Sequence, residues 1–416
     1  MENMLRQTRE RLLLFVKWLG ISVLCGVPIG LTGWLFHHLV EEATALRESC
    51  GWLIFLLPLG GAAIALLYRL AGMEEDGGTN SVLRSVRTGG LLPFRMAPLI
   101  FVSTILTHLL GGSSGREGAA LQLGGSMAAQ IGRWLRLNRR DLHTITLCGM
   151  SAAFAALFGT PLTAAVFAME VVKVGTMYYA GIVPCVLAGL IGAGIAGSLG
   201  AAPASFAAAG IPELSLVTVL QVLVLGILCA VVSVLFCVSM HAAGSWYRKL
   251  LPGSILRAAV GGALVLALTL LIGSRDYNGA GMAVIDRAMA GEAVPYAFLL
   301  KILFTALTLG AGFKGGEIVP AFFVGATFGC TAGGLLGLAP GFGAAVGLAG
   351  VFCGVVNCPL ATLLLCLELF GGEGMPLFAL AAAVSYLLSG YFGLYSGQKF
   401  AYSQTELDTD GSHTTA

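Results

Sequence analysis

Charge is what this chain has least of. Asp, Glu, Lys and Arg together make up 11% of its 416 residues, while hydrophobic residues make up 57%, against about a quarter charged in soluble domains. A water-soluble core cannot hide that much apolar surface, so a soluble enzyme or scaffold is excluded. The net charge of +2 is too small for a nucleic-acid partner, which requires a dense basic face. Paired cysteines are missing as well. Cys25, Cys148, Cys185, Cys229, Cys237, Cys330 and Cys366 stand singly inside apolar runs, so neither a disulfide framework nor a metal ligand set is expected, and no cofactor. No small-residue cleavage site follows the opening MENMLRQTRERLLLF, and residues 1–14 read as an amphipathic cytoplasmic lead-in, not a secretory signal. A polar tail over 401–416 is expected to be disordered, leaving no room for an appended soluble domain.

Long apolar stretches dominate what is present. They lie near 12–40, 52–72, 96–110, 141–171, 178–200, 216–242, 256–273, 294–311, 319–337, 341–370 and 376–393. Most approach the ~20 residues a bilayer-spanning helix needs, which predicts an all-α polytopic membrane protein with roughly ten or more membrane helices. Arg6, Arg9 and Arg11 precede the first run, and Arg133, Arg136, Arg139 and Arg140 crowd a later junction. The positive-inside bias puts both in the cytoplasm of a multi-pass protein of the inner (plasma) membrane, with the lipid bilayer as its surroundings.

The chain also echoes itself. Residues 159–171 read GTPLTAAVFAMEV and residues 357–369 read NCPLATLLLCLEL, so that Pro161 and Pro359, and likewise Glu170 and Glu368, are 198 positions apart. Upstream, GREGAALQLGG (115–125) and GGEIVPAFFVG (315–325) each set a glycine loop and a glutamate before an apolar helix. Two related transmembrane halves follow, over 15–200 and 201–400, with a transport site expected at their interface. The residues do not decide whether the halves run parallel or inverted. Glu170 and Glu368 read as structural carboxylates, paired with a helix N-terminus or an arginine.

The 59 glycines cluster between short apolar runs, where they permit close helix packing in lipid and let helices stop inside the bilayer. Three segments join glycines, polar residues and a helix start: GGTNSVLRSV (77–86), GGSSGREGAALQ (111–122) and GFKGGEIVPAFF (312–323). Free backbone N–H groups and positive dipole ends there suit a small anion and repel a cation. Glu117, behind Gly115 at such a start, then reads as a tethered anion that occupies an anion position when ionised and swings away when protonated, making it gate and proton carrier. Lys301 reads as a buried charge that shapes the field, or as a side chain snorkelling at a helix end.

The sequence GREGA with the helix after it resembles the gating motif of the CLC family of chloride channels and chloride/proton exchangers, and the resemblance extends over about 15–400. It implies two inverted-topology repeats with broken helices, a homodimer with one pore per subunit, and Glu117 as the external gate. By the same resemblance GGTNSV stands where the family has its first pore loop, so Gly78, Thr79 and Asn80 border the anion and Thr79 takes the central serine's place. Arg116 and Gly118 flank the gate, the amides of Glu317 and Ile318 face the anion, and Tyr395 in SGYFGLYSGQ matches the central tyrosine. Thr79 could donate its hydroxyl hydrogen to chloride.

Two departures bear on the ion. Val171 stands where exchangers carry their second, cytoplasm-side glutamate. Asn80 and the phrase GFKGGE are similar to the fluoride-exporting subgroup, in which Glu317 is a second proton carrier, whereas Thr79 and Val319 depart from that subgroup's usual methionine and threonine. Chloride transport is therefore the first expectation and fluoride/proton antiport the alternative. A different class, an intramembrane serine protease using Ser113 or Ser114 of GSSG, lacks a clear base among the six histidines, with His241 the only candidate. A non-enzymatic pore is expected.

Overall fold

The computed structural model describes residues 2–401 apart from 91, 207 and 209, so the tail beyond Ala401 lies outside the described residues. Among these, sixteen α-helices follow one another: α1 (Glu2–Ser49), α2 (Leu57–Leu70), α3 (Thr79–Thr88), α4 (Met96–Leu110), α5 (Glu117–Trp134), α6 (Arg139–Phe158), α7 (Pro161–Glu170) and α8 (Ile182–Ser198) in the first half, then α9 (Leu216–Leu250), α10 (Ser254–Ile272), α11 (Met282–Met289), α12 (Ala297–Ala311), α13 (Ile318–Leu335), α14 (Pro340–Val356), α15 (Pro359–Phe370) and α16 (Met375–Ser389) in the second. The lead-in is no separate unit, because α1 continues through it without a break over 48 residues. Seven helical stretches are long and apolar enough to cross a membrane, and six shorter apolar helices accompany them. Leu24, Leu31, Leu220, Val231, Leu264 and Leu271 on α1, α9 and α10 are exposed, as expected of surfaces whose solvent is hydrocarbon.

The runs 141–171 and 341–370 are each split in two by the same local chemistry. Gly159 at φ +69° ends α6, and Asn357 at φ +55° ends α14; glycine and asparagine are the residues that reach the left-handed region most cheaply. A proline, Pro161 or Pro359, then opens the next helix where its missing N–H costs nothing. Asn357 adds a tie of its own, donating from Nδ2 to the Phe392 carbonyl at 2.9 Å.

Glycine also sets how closely the core helices approach. A Cβ on Gly132 would come within 2.7 Å of Leu142, and Gly124 and Gly149 face each other across α5 and α6 backbone to backbone. The equivalent pairs of the second half, Gly325 with Gly347 and Gly329 with Gly343, do the same across α13 and α14. Each half is thus built around one closely packed helix pair, α5 with α6 and α13 with α14, with α6 and α14 largely sealed from the surface.

The relative direction of the halves, open in the sequence, follows from two glutamates. Glu170, at the C-terminus of α7, accepts from the amides of Leu360 and Ala361 at the start of α15, at 3.2 and 2.8 Å. Glu368, near the C-terminus of α15, accepts from the amides of Leu162 and Thr163 at the start of α7, at 3.0 and 2.9 Å. Equivalent helices therefore run antiparallel, and the repeats are inverted.

Lys17 near the start of α1 bonds Asp141 at 2.5 Å, beside the arginines of the α5–α6 turn, whereas Arg47 near its end donates to His108 O at 3.1 Å. These contacts define an arginine-rich face and an opposite face.

Candidate anion site

The two glycine loops meet at the centre of the protein. Gly115 and Gly316 exchange backbone hydrogen bonds of 2.7 Å in each direction. The close approach requires glycine: a Cβ on Gly316 would lie 2.5 Å from the Gly118 nitrogen. This pairing brings the N-termini of α5 and α13 together, and both point their unpaired amides and positive dipole ends at the same region.

Glu117 is 1% exposed. Its Oε2 accepts from the Arg116 amide at 3.0 Å, and the carboxylate also takes backbone hydrogen bonds from its own residue and from Val319. A side-chain anion thus sits on amides supplied by both halves. The Arg116 guanidinium lies 3.8 Å from Glu117 Oε1 and 3.7 Å from Glu41 Oε1, and His37 Nε2 lies 3.0 Å from that same Glu41 oxygen.

Glu117 borders one of two cavities that flank the paired loops. The outer one, about 380 Å³, opens on the face opposite the arginines and is lined by Glu41, Arg47, His108, Arg116, Glu117 and Val319 among others. The inner one, about 360 Å³, is lined by Gly78, Thr79, Asn80, Gln122, Glu317 and Tyr395 among others. They share no lining residue, and the Gly115–Gly316 pairing forms the partition.

The residues singled out in the sequence therefore separate into three groups. Gly78, Thr79, Asn80, Glu317 and Tyr395 border the inner cavity, Arg116 and Glu117 border the outer one, and Gly118 and Ile318 are packed in the partition. A Cβ on Gly118 would touch Glu317 Oε2 at 3.3 Å and Thr79 Oγ1 at 3.4 Å, so these three groups converge. Thr79 does not offer its hydroxyl hydrogen to the cavity as expected, because Oγ1 donates to Gly118 O at 3.2 Å and accepts from Gln122 Nε2 at 3.3 Å. Asn80 is turned to the chain that carries Tyr395, its Oδ1 accepting from the Gly397 amide at 2.8 Å. The Tyr395 hydroxyl and Glu317 Oε2 are buried with no hydrogen-bond partner among the described residues.

Gln122 escaped the sequence reading. Its Nε2 bridges Thr79 and the Gly118 carbonyl, and its Oε1 is buried with no partner among the described residues. The available signal was its place as the first polar side chain after Glu117 in α5. Val171 is wholly buried at the end of α7 and borders neither cavity. Lys301 does not snorkel: it is fully buried and donates to the carbonyls of Tyr277 at 3.2 Å and Gly279 at 2.7 Å. The serines support no protease. Ser113 bonds Thr305 and Thr308 at 3.0 Å each, and the protease candidate base His241 instead faces Gly393 O at 2.9 Å.

Inverted repeats whose broken helices converge on an amide-lined, carboxylate-plugged centre define a membrane transport protein for anions. The chain belongs to the CLC family: the family model described as voltage gated chloride channel matches residues 60–390. A relative named chloride/fluoride channel protein, from Pseudomonas syringae pv. tomato, is 36% identical over 395 residues, covering 93% of this chain and 87% of the relative. The H(+)/Cl(-) exchange transporter ClcA of Yersinia pestis bv. Antiqua is 26% identical, covering 84% of this chain and 79% of that protein. Among solved structures, a CLC-type fluoride/proton antiporter superposes with TM-score 0.89 at 31% identity, over 92% of this chain and 98% of the other. A cyanobacterial Cl-/H+ antiporter superposes with TM-score 0.78 at 18% identity, over 89% and 94%, which speaks to the fold alone.

Proposed function

We propose that this CLC protein exchanges a small anion, fluoride first, for protons across the plasma membrane, with the arginine-rich face in the cytoplasm. The observation that carries the reading is Glu317: an ionisable side chain bordering the inner cavity and converging on Gly118, the residue after the gate, with a carboxylate oxygen that has no hydrogen-bond partner among the described residues. Ionisable groups at membrane depth mark ion or proton pathways. Glu117 carries the proton from the outer cavity and Glu317 receives it on the inner side. In its protonated form Glu317 is a strong donor to an anion on the adjacent amides, a role suited to a small, strongly hydrated ion whose lost water must be replaced by hydrogen bonds. The likeness to the solved fluoride/proton antiporter supports the same ion. The homodimer with one pore per subunit is part of this proposal.

Chloride, the first expectation from sequence, is the second reading, favoured by the name of the Yersinia relative, while that of the Pseudomonas relative admits both ions. It has less support from Thr79, whose hydroxyl hydrogen is directed to Gly118.

The deciding experiment is efflux from proteoliposomes read in parallel by fluoride, chloride and pH electrodes, comparing wild type with Glu117→Gln and Glu317→Gln. Fluoride efflux opposed by proton uptake, with proton movement lost in Glu317→Gln, is expected. Chloride efflux with an undisturbed pH in wild type would overturn the proton-coupled reading.

A further inference from the structure

Lys301 carries a charge that neither cavity explains. It is 0% exposed and lines neither the outer nor the inner cavity. The charged group it interacts with is another cation, Arg47, and its Nζ otherwise meets two carbonyls and the Phe323 ring, 5.1 Å away. An ammonium buried without a carboxylate is costly, so the surroundings must need its hydrogen-bond donors.

The need lies in the turn over 273–281, between α10 and α11. Gly279 at φ +61° and Gly281 at φ +83° bend the backbone there, and the carbonyls of Tyr277 and Gly279 are reached by no backbone amide among the described residues. Buried carbonyls require a donor. One ammonium, with three N–H groups, serves both at once, at 3.2 and 2.7 Å. Arg47 presses on the turn as well: a Cβ on Gly279 would lie 2.5 Å from Arg47 Nη1.

The same turn holds the loop that leads into Glu117. Asn278 Nδ2 donates to Gly111 O at 2.8 Å, and the Gly279 amide donates to Gly112 O at 3.0 Å. Thr308, two turns along α12 on the face that carries Lys301, accepts from the Ser113 amide at 3.0 Å. Residues 111–113 of the first half therefore rest on groups of the second, just before the residues that seat the gate.

We infer that Lys301 is a positioning residue for the gate: it locks the 277–279 backbone, and that backbone holds residues 111–112 so that the Arg116 amide meets the Glu117 carboxylate. The lysine touches no transported ion. Its effect passes through the turn, because a seat built from the amides of two halves works only while both are fixed to each other. With the lock removed, the loop loosens and ionised Glu117 closes the path less completely.

This inference rests on the reading of Glu117 as the gate, and two measurements keep the two apart. Amide hydrogen exchange over 111–116 would be followed in purified protein, and fluoride efflux from proteoliposomes at several outer pH values. In Lys301→Met, exchange over 111–116 is expected to rise at least about tenfold, and efflux at alkaline outer pH to rise so that the pH slope flattens. Lys301→Gln keeps a donor for the nearer carbonyl, so a rise of about threefold is expected, and this variant decides the matter if Lys301→Met does not fold. Because Lys301 and Asn278 act through one turn, Lys301→Met with Asn278→Ala should exchange within about twofold of the more affected single variant, whereas Thr308→Val should add to either. Unchanged exchange over 111–116 in the lysine variants, or full additivity of Lys301→Met with Asn278→Ala, would overturn the positioning role. A loosened loop with a wild-type pH slope would overturn its link to the gate. Efflux from wild type that ignores outer pH would overturn the gating reading and this inference with it.

Discussion

Glu170 and Glu368 are exchanged caps: each closes the N-terminus of the helix that carries the other. Glu170 takes the first amides of α15 at 2.8 and 3.2 Å, and Glu368 takes those of α7 together with the Thr163 hydroxyl at 2.5 Å. A carboxylate on free helix amides gains both charge-assisted hydrogen bonds and the dipole. Glu170→Gln and Glu368→Gln are expected to cost about 1.5–3 kcal/mol each, hydrogen bonds to a charged group being worth that much. Thermal unfolding of the purified protein in detergent checks this, with ion coupling in the surviving fraction unchanged, since neither residue borders either cavity at the gate.

The glycine pairs make a second, sharper stability prediction. Gly149→Ala and Gly347→Ala press a Cβ against the backbone of the partner helix, where no side chain can give way, and overpacking of this kind costs about 1–3 kcal/mol. Gly197, in α8, has open space about it, so Gly197→Ala should stabilise by up to roughly 1 kcal/mol through helix propensity. Opposite shifts in melting temperature for the same chemical change would establish that packing decides the outcome. Equal shifts would contradict it.

Much of this architecture is legible in the sequence because it is written in special residues. Pro161 and Pro359 with their matched glutamates announce a repeat, and GREG and GGE announce the paired loops, whereas the helix breaks at Gly159 and Asn357 went unread inside the runs 141–171 and 341–370. Direction was not legible, since similar helices look alike whichever way they cross the bilayer; it emerges only from which amides Glu170 meets. Helix α5 was also faint as a span, because its glycines, Ser126, Gln122 and Gln130 dilute the apolar signal. At the site, Thr79 was identified by residue type, but its hydrogen is claimed by a carbonyl of α5, 39 positions away. Hydrogen-bond direction depends on such distant partners, and residue type alone does not carry it.

The gate predicts a pH dependence whose sign is fixed by charge. On the proposed reading, ionised Glu117 competes with the anion for the amides of Arg116 and Val319, and once protonated it loses that attraction and leaves. Above its pKa the protonated fraction falls about tenfold per pH unit, so anion flux should rise as the outer solution is acidified. Glu117→Gln mimics the protonated form, and its flux should be insensitive to outer pH and unaccompanied by protons. Efflux rates measured at several outer pH values test both statements. A Glu117→Gln protein that keeps the wild-type pH slope would place the sensor elsewhere.

Tyr395 separates an anion contact from a structural one. Its hydroxyl is buried at the inner cavity without a hydrogen-bond partner among the described residues, while its chain is held by two bonds at Gly397: the Asn80 Oδ1 accepts from the amide at 2.8 Å, and Arg87 donates to the carbonyl at 2.9 Å. If the hydroxyl donates to the anion, Tyr395→Phe removes one hydrogen bond to a charged partner and leaves the ring packed. A loss of about 1.5–3 kcal/mol, or roughly ten- to hundredfold in anion affinity, is expected with little change in melting temperature. Asn80→Ala acts differently, freeing the Gly397 amide and loosening the segment, so it should lower affinity and thermal stability together. Anion binding by isothermal calorimetry beside thermal unfolding distinguishes the two. Equal affinity in Tyr395→Phe and wild type would assign the unpartnered hydroxyl to water and leave the backbone amides and Glu317 as the anion's hydrogen-bond donors.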